Sequence, residues 1–435
     1  MPDKPRPQIP DPSTADVRRL PARRASFVET FSAFGHRNYR IFFIGQVISL
    51  IGTWLQSTAE GWLVYQLSGS SVALGFIRFA NMLPFALLAL WGGTVADRHP
   101  KRSILLCTQV ASMLLALLLA LLVGIGVIQV WHVAAIGFLL GTVNAFDVPA
   151  RQAFVVDLVG RDDLDNGIAL NSSMFNLARV VGPAVAGVLI GILGMAGCFL
   201  LNGLSYLAVI AGYGMLRLPK IEKRHDHPPF RSAIREAGGY ILGNGPLRGI
   251  MMLVSTFSVF GISFIVLMPV FAKDILGGDA KTFGMLMSFN GGGALIGGLA
   301  LATFGKRFPR RNILYTGLFG CCAFNIAFAL SRSIWLSCPL LLCSGFFMIN
   351  FLATANTSTQ LRSPDALRGR IMGFYSLAFL GLSSVGSLLT GFLASHLGAT
   401  RTVILGASVC AIVGTLLLRR IIPLPAEPAV AEKPD

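Results

Sequence analysis

Charge is what this sequence has least of. Only 13% of its 435 residues are Asp, Glu, Lys or Arg, against roughly a quarter in a soluble domain, so the chain cannot clothe a water-facing surface. No loop of the G-x-x-x-x-G-K type cradles a phosphate, which excludes direct powering by ATP. No catalytic triad and no metal-ligand spacing occurs, so an enzyme is not expected. The seven cysteines, Cys107, Cys198, Cys321, Cys322, Cys338, Cys343 and Cys410, all fall in apolar runs. They read as small buried hydrophobes, not as a disulfide framework or a zinc site. Residues 1 to about 26 are rich in Pro, Arg and Asp and have no apolar core, so they are neither a signal peptide nor a folded unit.

Acid is scarcer than base, 20 residues against 36, and the formal charge is +16. A balance of that kind points to a polyanion partner when the cations share one face. Here they cluster in the tails and in every second loop, the pattern that membrane insertion imposes, so nucleic acid is not expected as a partner.

What is abundant is apolar: 54% of residues, with a mean hydropathy of +0.68. A membrane span needs about 20 such residues. The sequence predicts twelve, at 39–66, 72–96, 102–124, 128–149, 166–193, 196–216, 248–272, 282–304, 312–331, 334–356, 369–395 and 401–419. They are numbered one to twelve below. The expected fold is an all-α membrane protein with two pseudo-symmetric six-helix bundles, 38–216 and 248–420. A basic tail with a short interfacial helix (1–37), a linker (217–247) and a second tail (421–435) complete the chain.

Cations concentrate in the tail and in the 97–102, 150–165, 217–247, 305–311 and 362–370 links. The opposite links hold almost none: 67–71, 125–127 and 194–195 are uncharged, and Lys273, Lys281, Arg332 and Arg401 come later. Both termini are therefore expected on the cytoplasmic side of the cell (inner) membrane. Phe27, Phe31 and Phe34 predict a helix on the membrane surface; Phe230, Ile234, Ala237 and Ile241 beside Arg231 and Arg235 predict another in the linker. The linker's His225-Asp-His227 run reads as a solvated polar link.

The chain repeats itself. Arg98-His-Pro-Lys-Arg-Ser-Ile-Leu105 matches Arg307-Phe-Pro-Arg-Arg-Asn-Ile-Leu314 at an offset of 209, where Gly75 also falls on Gly284 and Asn81 on Asn290. The 161–168 link resembles 363–371 at an offset near 203. Two homologous bundles explain this. They differ at one informative place, where Asp97 corresponds to Lys306.

Several stretches resemble the major facilitator superfamily over nearly the whole chain outside the tails. Gly93-x-x-x-Asp97-Arg98-x-x-Lys101-Arg102 is similar to its signature loop G-x-x-x-D-R-x-G-R-R, with Pro100 in place of glycine. Gly52-Thr-Trp-Leu-Gln56, Gly61-Trp-Leu-Val-Tyr65, Asn144 to Gln152, Ala169 to Ser173 and Arg179-Val-Val-Gly-Pro183 resemble the enterobactin-exporter and macrolide-efflux branch. The resemblance implies two bundles around a cavity that opens alternately to either side, with Asp97 latching the outward-open state against a helix N-terminus of the other half. Asp147 and Arg151, spaced i,i+4, are candidates to join Asp97, Arg98 and Arg102 in a charge network on that face. Gly182, Pro183 and Gly187 resemble the exporter motif of span five, a site of close packing and kinking.

Charges inside spans are functional candidates by default. At about 1.5 Å per residue, Glu60 and Arg78 come to a similar depth, roughly 10 Å from the outer surface. They read either as a structural salt bridge or as a site where Glu60 carries the coupling proton. Gln46, Ser49, Thr53, Gln56 or Ser57, and Glu60 form a polar stripe on span one that must face the cavity or a partner helix. Trp54 and Trp62 beside it are candidates to stack on a substrate, Trp62 equally an interface anchor. Arg179, beside Asn176 near the middle of span five, suits an anionic group of a substrate, proton release, or carbonyl binding. Asn290, Asn202, Asn350 and Asn356 either line the cavity, with Asn290 a candidate for proton or substrate contact, or bond helix to helix, packing being the favoured reading for a single asparagine. The expectation is a secondary active transporter, a monomer driven by the proton gradient without a cofactor, exporting an amphipathic small molecule of drug or siderophore type. Uptake or facilitated diffusion is the first alternative, and a non-transporting scaffold or receptor the second.

Overall fold

The computed structural model describes residues 29–160, 162–216, 230–364 and 367–421. The sequence readings on 1–28, Arg161, 217–229 with His225 and His227, and 422–435 lie outside the described residues.

All regular elements among the described residues are helices. Spans one to four are Arg37–Ser68, Ser71–Arg98, Lys101–Gly124 and Val130–Val159. The next helix runs Leu164–Met215, 52 residues, or about 78 Å at 1.5 Å per residue, more than twice a bilayer core. It folds back at Gly194, whose φ of 69° and ψ of 179° suit a residue without a Cβ. This yields spans five (164–193) and six (195–215). Span seven, Gly245–Ile275, is broken by a π-helical turn at Phe257–Gly261 and a 3-10 stretch at Ser263–Leu267. Spans eight to twelve are Ala280–Phe304, Arg310–Leu330, Ile334–Arg362, Arg368–Leu397 and Ala399–Ile421.

The helices overrun the expected apolar limits where their ends leave hydrocarbon. Span four continues ten residues past Pro149. That proline has no N–H to offer the Ala145 carbonyl. Gly92 of span two backs onto this carbonyl, and a Cβ there would lie 1.9 Å from its oxygen.

Both segments predicted as surface helices pack on a bundle. Glu29–Gly35 is a 3-10 turn docked on the first bundle: the Ala33 N–H donates to Asn166 (3.1 Å), and His36 Nε2 lies 2.8 Å from Asp163. Hydrogen bonds from Ser32 and His36 hold the Asp163 carboxyl below its ordinary range. The linker helix Phe230–Gly243 buries Ala237 and Ile241 against Leu247, Ile371 and Tyr375 of the second bundle. Of the cysteines, Cys107 is exposed and Cys343 half-buried, because their apolar helices turn those faces outward; the other five are buried as expected.

The two bundles meet through span two on span eleven and span five on span eight. A Cβ on Gly75 would lie 2.4 Å from the Ser387 carbonyl oxygen, and one on Gly284 2.5 Å from that of Pro183. Gly391 and Gly187 press in the same way on the first turns of spans two and eight, at Ser71 and Lys281. These are the same contacts written twice, once in each repeat. They all lie toward the face that carries the charge-poor links, and there the Ser71 hydroxyl donates to the Gly391 carbonyl (2.9 Å). Trp62 of span one, 4% exposed, stacks on Phe283 of span eight with ring centroids 6.1 Å apart. It is a seam residue and not an interface anchor.

A side chain at either glycine must push the bundles apart. With Ser70→Cys and Thr400→Cys placed across the seam in a cysteine-free background, Gly284→Leu should reduce bifunctional cross-linking severalfold. Unchanged cross-linking would show that the seam does not depend on this contact.

Candidate functional site

The polar stripe of span one divides between two environments. Gln46, Ser49 and Gln56 are buried against span six. Asn202 Nδ2 donates to Gln56 Oε1 (2.6 Å), and Gln46 Nε2 donates to the Tyr213 hydroxyl (3.1 Å). Gly52 makes this approach possible, since a Cβ there would collide with Ser205 and Asn202. Thr53 and Ser57 are exposed and Glu60 half-buried.

Glu60 and Arg78 feel each other's charge but close no ion pair within 4 Å. Arg78 is exposed to the space outside the packed helices and Glu60 only half so. Among the described residues the Glu60 carboxylate accepts no hydrogen bond. It lies beside Asn81, with Oε1 4.0 Å from the position a Cβ on Gly137 would take. Similar depth brings the two charges into each other's field without closing a salt bridge.

Arg179 reaches from span five across to span eight, where its guanidinium donates to Asn290 Oδ1 (3.5 Å). Gly291 allows this: its Cβ would lie 2.8 Å from the Arg179 carbonyl oxygen. No carboxylate pairs with Arg179 among the described residues. Asn176 does not help to hold it, because its amide donates back to Ser172 in its own helix (2.9 Å). Trp54 packs edge-on against Phe175 (5.7 Å). Gly182 sits against Trp54 while Gly187 sits against span eight, so the Gly182-Pro183-Gly187 stretch serves both neighbours of span five.

The charges assigned to the signature loop separate in space. Asp147 is 4% exposed and points into the bundle, accepting from Thr108 and Gln109 (both 2.9 Å) and pairing with Arg151 at 3.4 Å. Arg151 in turn donates to Gln46 (3.3 Å). Spacing of i,i+4 joins Asp147 to Arg151, but the polar groups of spans one, three and six, not the loop, complete their network. In the loop itself Lys101 pairs with Asp157 (2.8 Å), and Arg102 donates to the Gly214 carbonyl (3.0 Å) at the end of span six. Asp97 and Arg98 are exposed. Gly93 has open space around it; its neighbour Gly92 carries the close approach.

The pair missed from sequence is Tyr65 with Asp274. The Tyr65 hydroxyl donates to the Asp274 carboxylate across the seam, and Lys273 Nζ lies 5.6 Å from the Tyr65 ring centroid. Tyr65 and Asp274 stand 209 residues apart, the repeat offset, so the bond joins equivalent positions of the two halves. The repeat was the signal that could have found them.

A model of the family described as transmembrane secretion effector matches residues 28–434. The chain belongs to this family of major facilitator transporters. It is similar to a staphyloferrin A transporter of Staphylococcus aureus, 26% identical over 83% of this chain and 91% of that one. It is equally similar, at 26% over 81% and 88%, to a multidrug efflux pump, Tap, of Mycolicibacterium fortuitum. A macrolide efflux protein A of Streptococcus pyogenes is 23% identical over 62% and 67%. Among solved structures, an inward-facing bacterial homologue of the lysosomal transporter Spinster superimposes with a TM-score of 0.71 at 14% identity, over 91% and 97% of the chains. The nucleoside transporter NupG gives 0.70 at 12%, over 88% and 98%. The chain is thus a multi-pass membrane transporter and not an enzyme.

Asp147→Ala strands the Arg151 charge, and breaking a buried pair costs about 3–5 kcal/mol. Asp157→Ala opens the more accessible Lys101 pair and should cost about 1 kcal/mol. Thermal unfolding in detergent should therefore rank the first variant well below the second; equal falls in midpoint would contradict the buried network.

Proposed function

We propose that this transporter exports an amphipathic small molecule of drug or siderophore type by alternating access, driven by proton entry. The observation that carries this reading is Glu60, a carboxylate within a span that has neither a closed ion pair nor a hydrogen bond among the described residues. A carboxyl so placed is expensive to keep charged, and protonation removes that cost. Arg179, with Asn290 as its polar partner, supplies a mid-membrane contact for the substrate where both bundles converge.

The cation-rich links and both termini lie on the cytoplasmic side in this reading, and the seam through Gly75, Gly284, Gly187 and Gly391 closes the outer side. On this reading the closed outer seam belongs to an inward-facing state, and the transporter works as a monomer. Export is supported by the multidrug and macrolide efflux proteins among its relatives.

Two experiments test the reading. Extracellular and intracellular metabolites of a deletion strain and its complement are compared with and without a protonophore. The complemented strain should lower the internal level of at least one amphipathic compound, and the protonophore should raise it again. With that compound, Glu60→Gln in inverted vesicles should reduce proton-driven uptake to the level of empty membranes while preserving substrate exchange. Proton-driven uptake at the wild-type rate would exclude Glu60 as the coupling group.

A further inference from the structure

The charge-poor face holds one feature that neither topology nor the repeat requires. Just beyond the Tyr65–Asp274 pair is a cavity of about 670 Å³, lined among others by Tyr65, Ser71, Asp274, Arg332, Thr400 and Arg401. Links on this face normally shed cations, and those of the first bundle have none. The repeat positions that correspond to Arg332 and Arg401 are Val123 and Gly197, so a six-helix bundle of this kind folds without either arginine. Yet the second bundle places both guanidinium groups on the same cavity.

Neither arginine is neutralised. Both are exposed, and no ion pair reaches them among the described residues. Arg332 spends one nitrogen on the carbonyls of Ala329 and Ser331, each at 3.3 Å. That anchor fixes the guanidinium and leaves donors on its other nitrogens. Asp274 is the opposing charge in the lining, but its carboxylate already accepts the Tyr65 hydroxyl, and Lys273 lies over the same ring. Thr400 and Arg401 belong to the first turn of span twelve, Ala399–Ile421, whose leading N–H groups have no partner within the helix. Span two begins on the opposite wall, at Ser71. Two guanidinium groups on one recess, one of them in the first turn of a helix, suit the charge of a carboxylate or phosphate group and offer it several N–H donors.

We propose that this vestibule is a binding site for a small oxyanion, a carboxylate or phosphate group, held by Arg332 and Arg401. The occupant is either a free anion or the headgroup of an anionic lipid, and both present the same chemistry.

The full chain in a neutral detergent is titrated with inorganic phosphate, and separately with acetate, against sodium chloride of equal ionic strength, while thermal unfolding is followed. A ligand that binds only the folded state raises the midpoint in a saturable way. The wild type should gain a few degrees from phosphate beyond the chloride control. Arg332→Gln with Arg401→Gln should lose that gain while keeping the phosphate-free midpoint. Thr400→Glu, which keeps both arginines and adds a repelling charge, should lose it too, so the proposal does not depend on the double variant folding. No gain in the wild type, or the same gain in Thr400→Glu, would overturn the site. Repeating the titration in phosphatidylglycerol and phosphatidylcholine nanodiscs separates the sources. Loss of the phosphate gain only in phosphatidylglycerol identifies the headgroup as occupant; its retention in both identifies the free anion.

Discussion

Backbone must touch backbone where the two halves meet. Between spans two and eleven, and again between five and eight, a single added Cβ would fall within 2.4–2.5 Å of a carbonyl oxygen at Gly75 and Gly284. Lipid tails are as apolar as leucine, so helices in a bilayer gain little from apolar burial and much from close van der Waals fit. The seam is therefore held by shape. A contact of that kind is strong when the surfaces match and falls away quickly when they part, as two discrete arrangements of rigid bundles require.

Charge is distributed around that seam with a consistent economy. Where an ionised group serves packing, its partners are complete: Asp147 has Arg151, Thr108 and Gln109, and Lys101 has Asp157. Where the chain faces the proposed pathway, pairing is left open, with Glu60 short of Arg78 and Arg179 held only by an asparagine. Unpaired charge inside a membrane is costly, and the cost is confined to positions that a proton or a substrate would relieve.

The fold was legible because hydropathy and the repeat act over whole helices. Twelve spans, the turn at Gly194 and the equivalence of Gly75 with Gly284 all follow from patterns tens of residues long. Single side-chain partners were not legible, because helical spacing fixes which residues share a stripe but not how the helix is rotated against its neighbours. Gln46 and Gln56 turned inward while Thr53 and Ser57 stayed accessible, although one stripe contains all four. Asp147 looked like part of the signature loop because it lies near the end of a predicted span that stopped at Pro149; the helix runs on to Val159 and carries Asp147 into the interior. Tyr65 with Asp274 was hidden for a different reason. Neither residue is unusual alone, and only the repeat offset applied across the two halves brings them together.

The account stands or falls on whether the two faces open in opposition. His99 and Phe308 are equivalent in the repeat and exposed on the basic face; Val127 and Leu336 are equivalent and exposed on the charge-poor face. Spin labels on each pair, read by pulsed electron resonance in vesicles at two values of pH, give both openings in one protein. If the account is right, acidification favours the state described here, so the Val127–Leu336 distance shortens while the His99–Phe308 distance lengthens. Distances that move together, or neither moving, would contradict it.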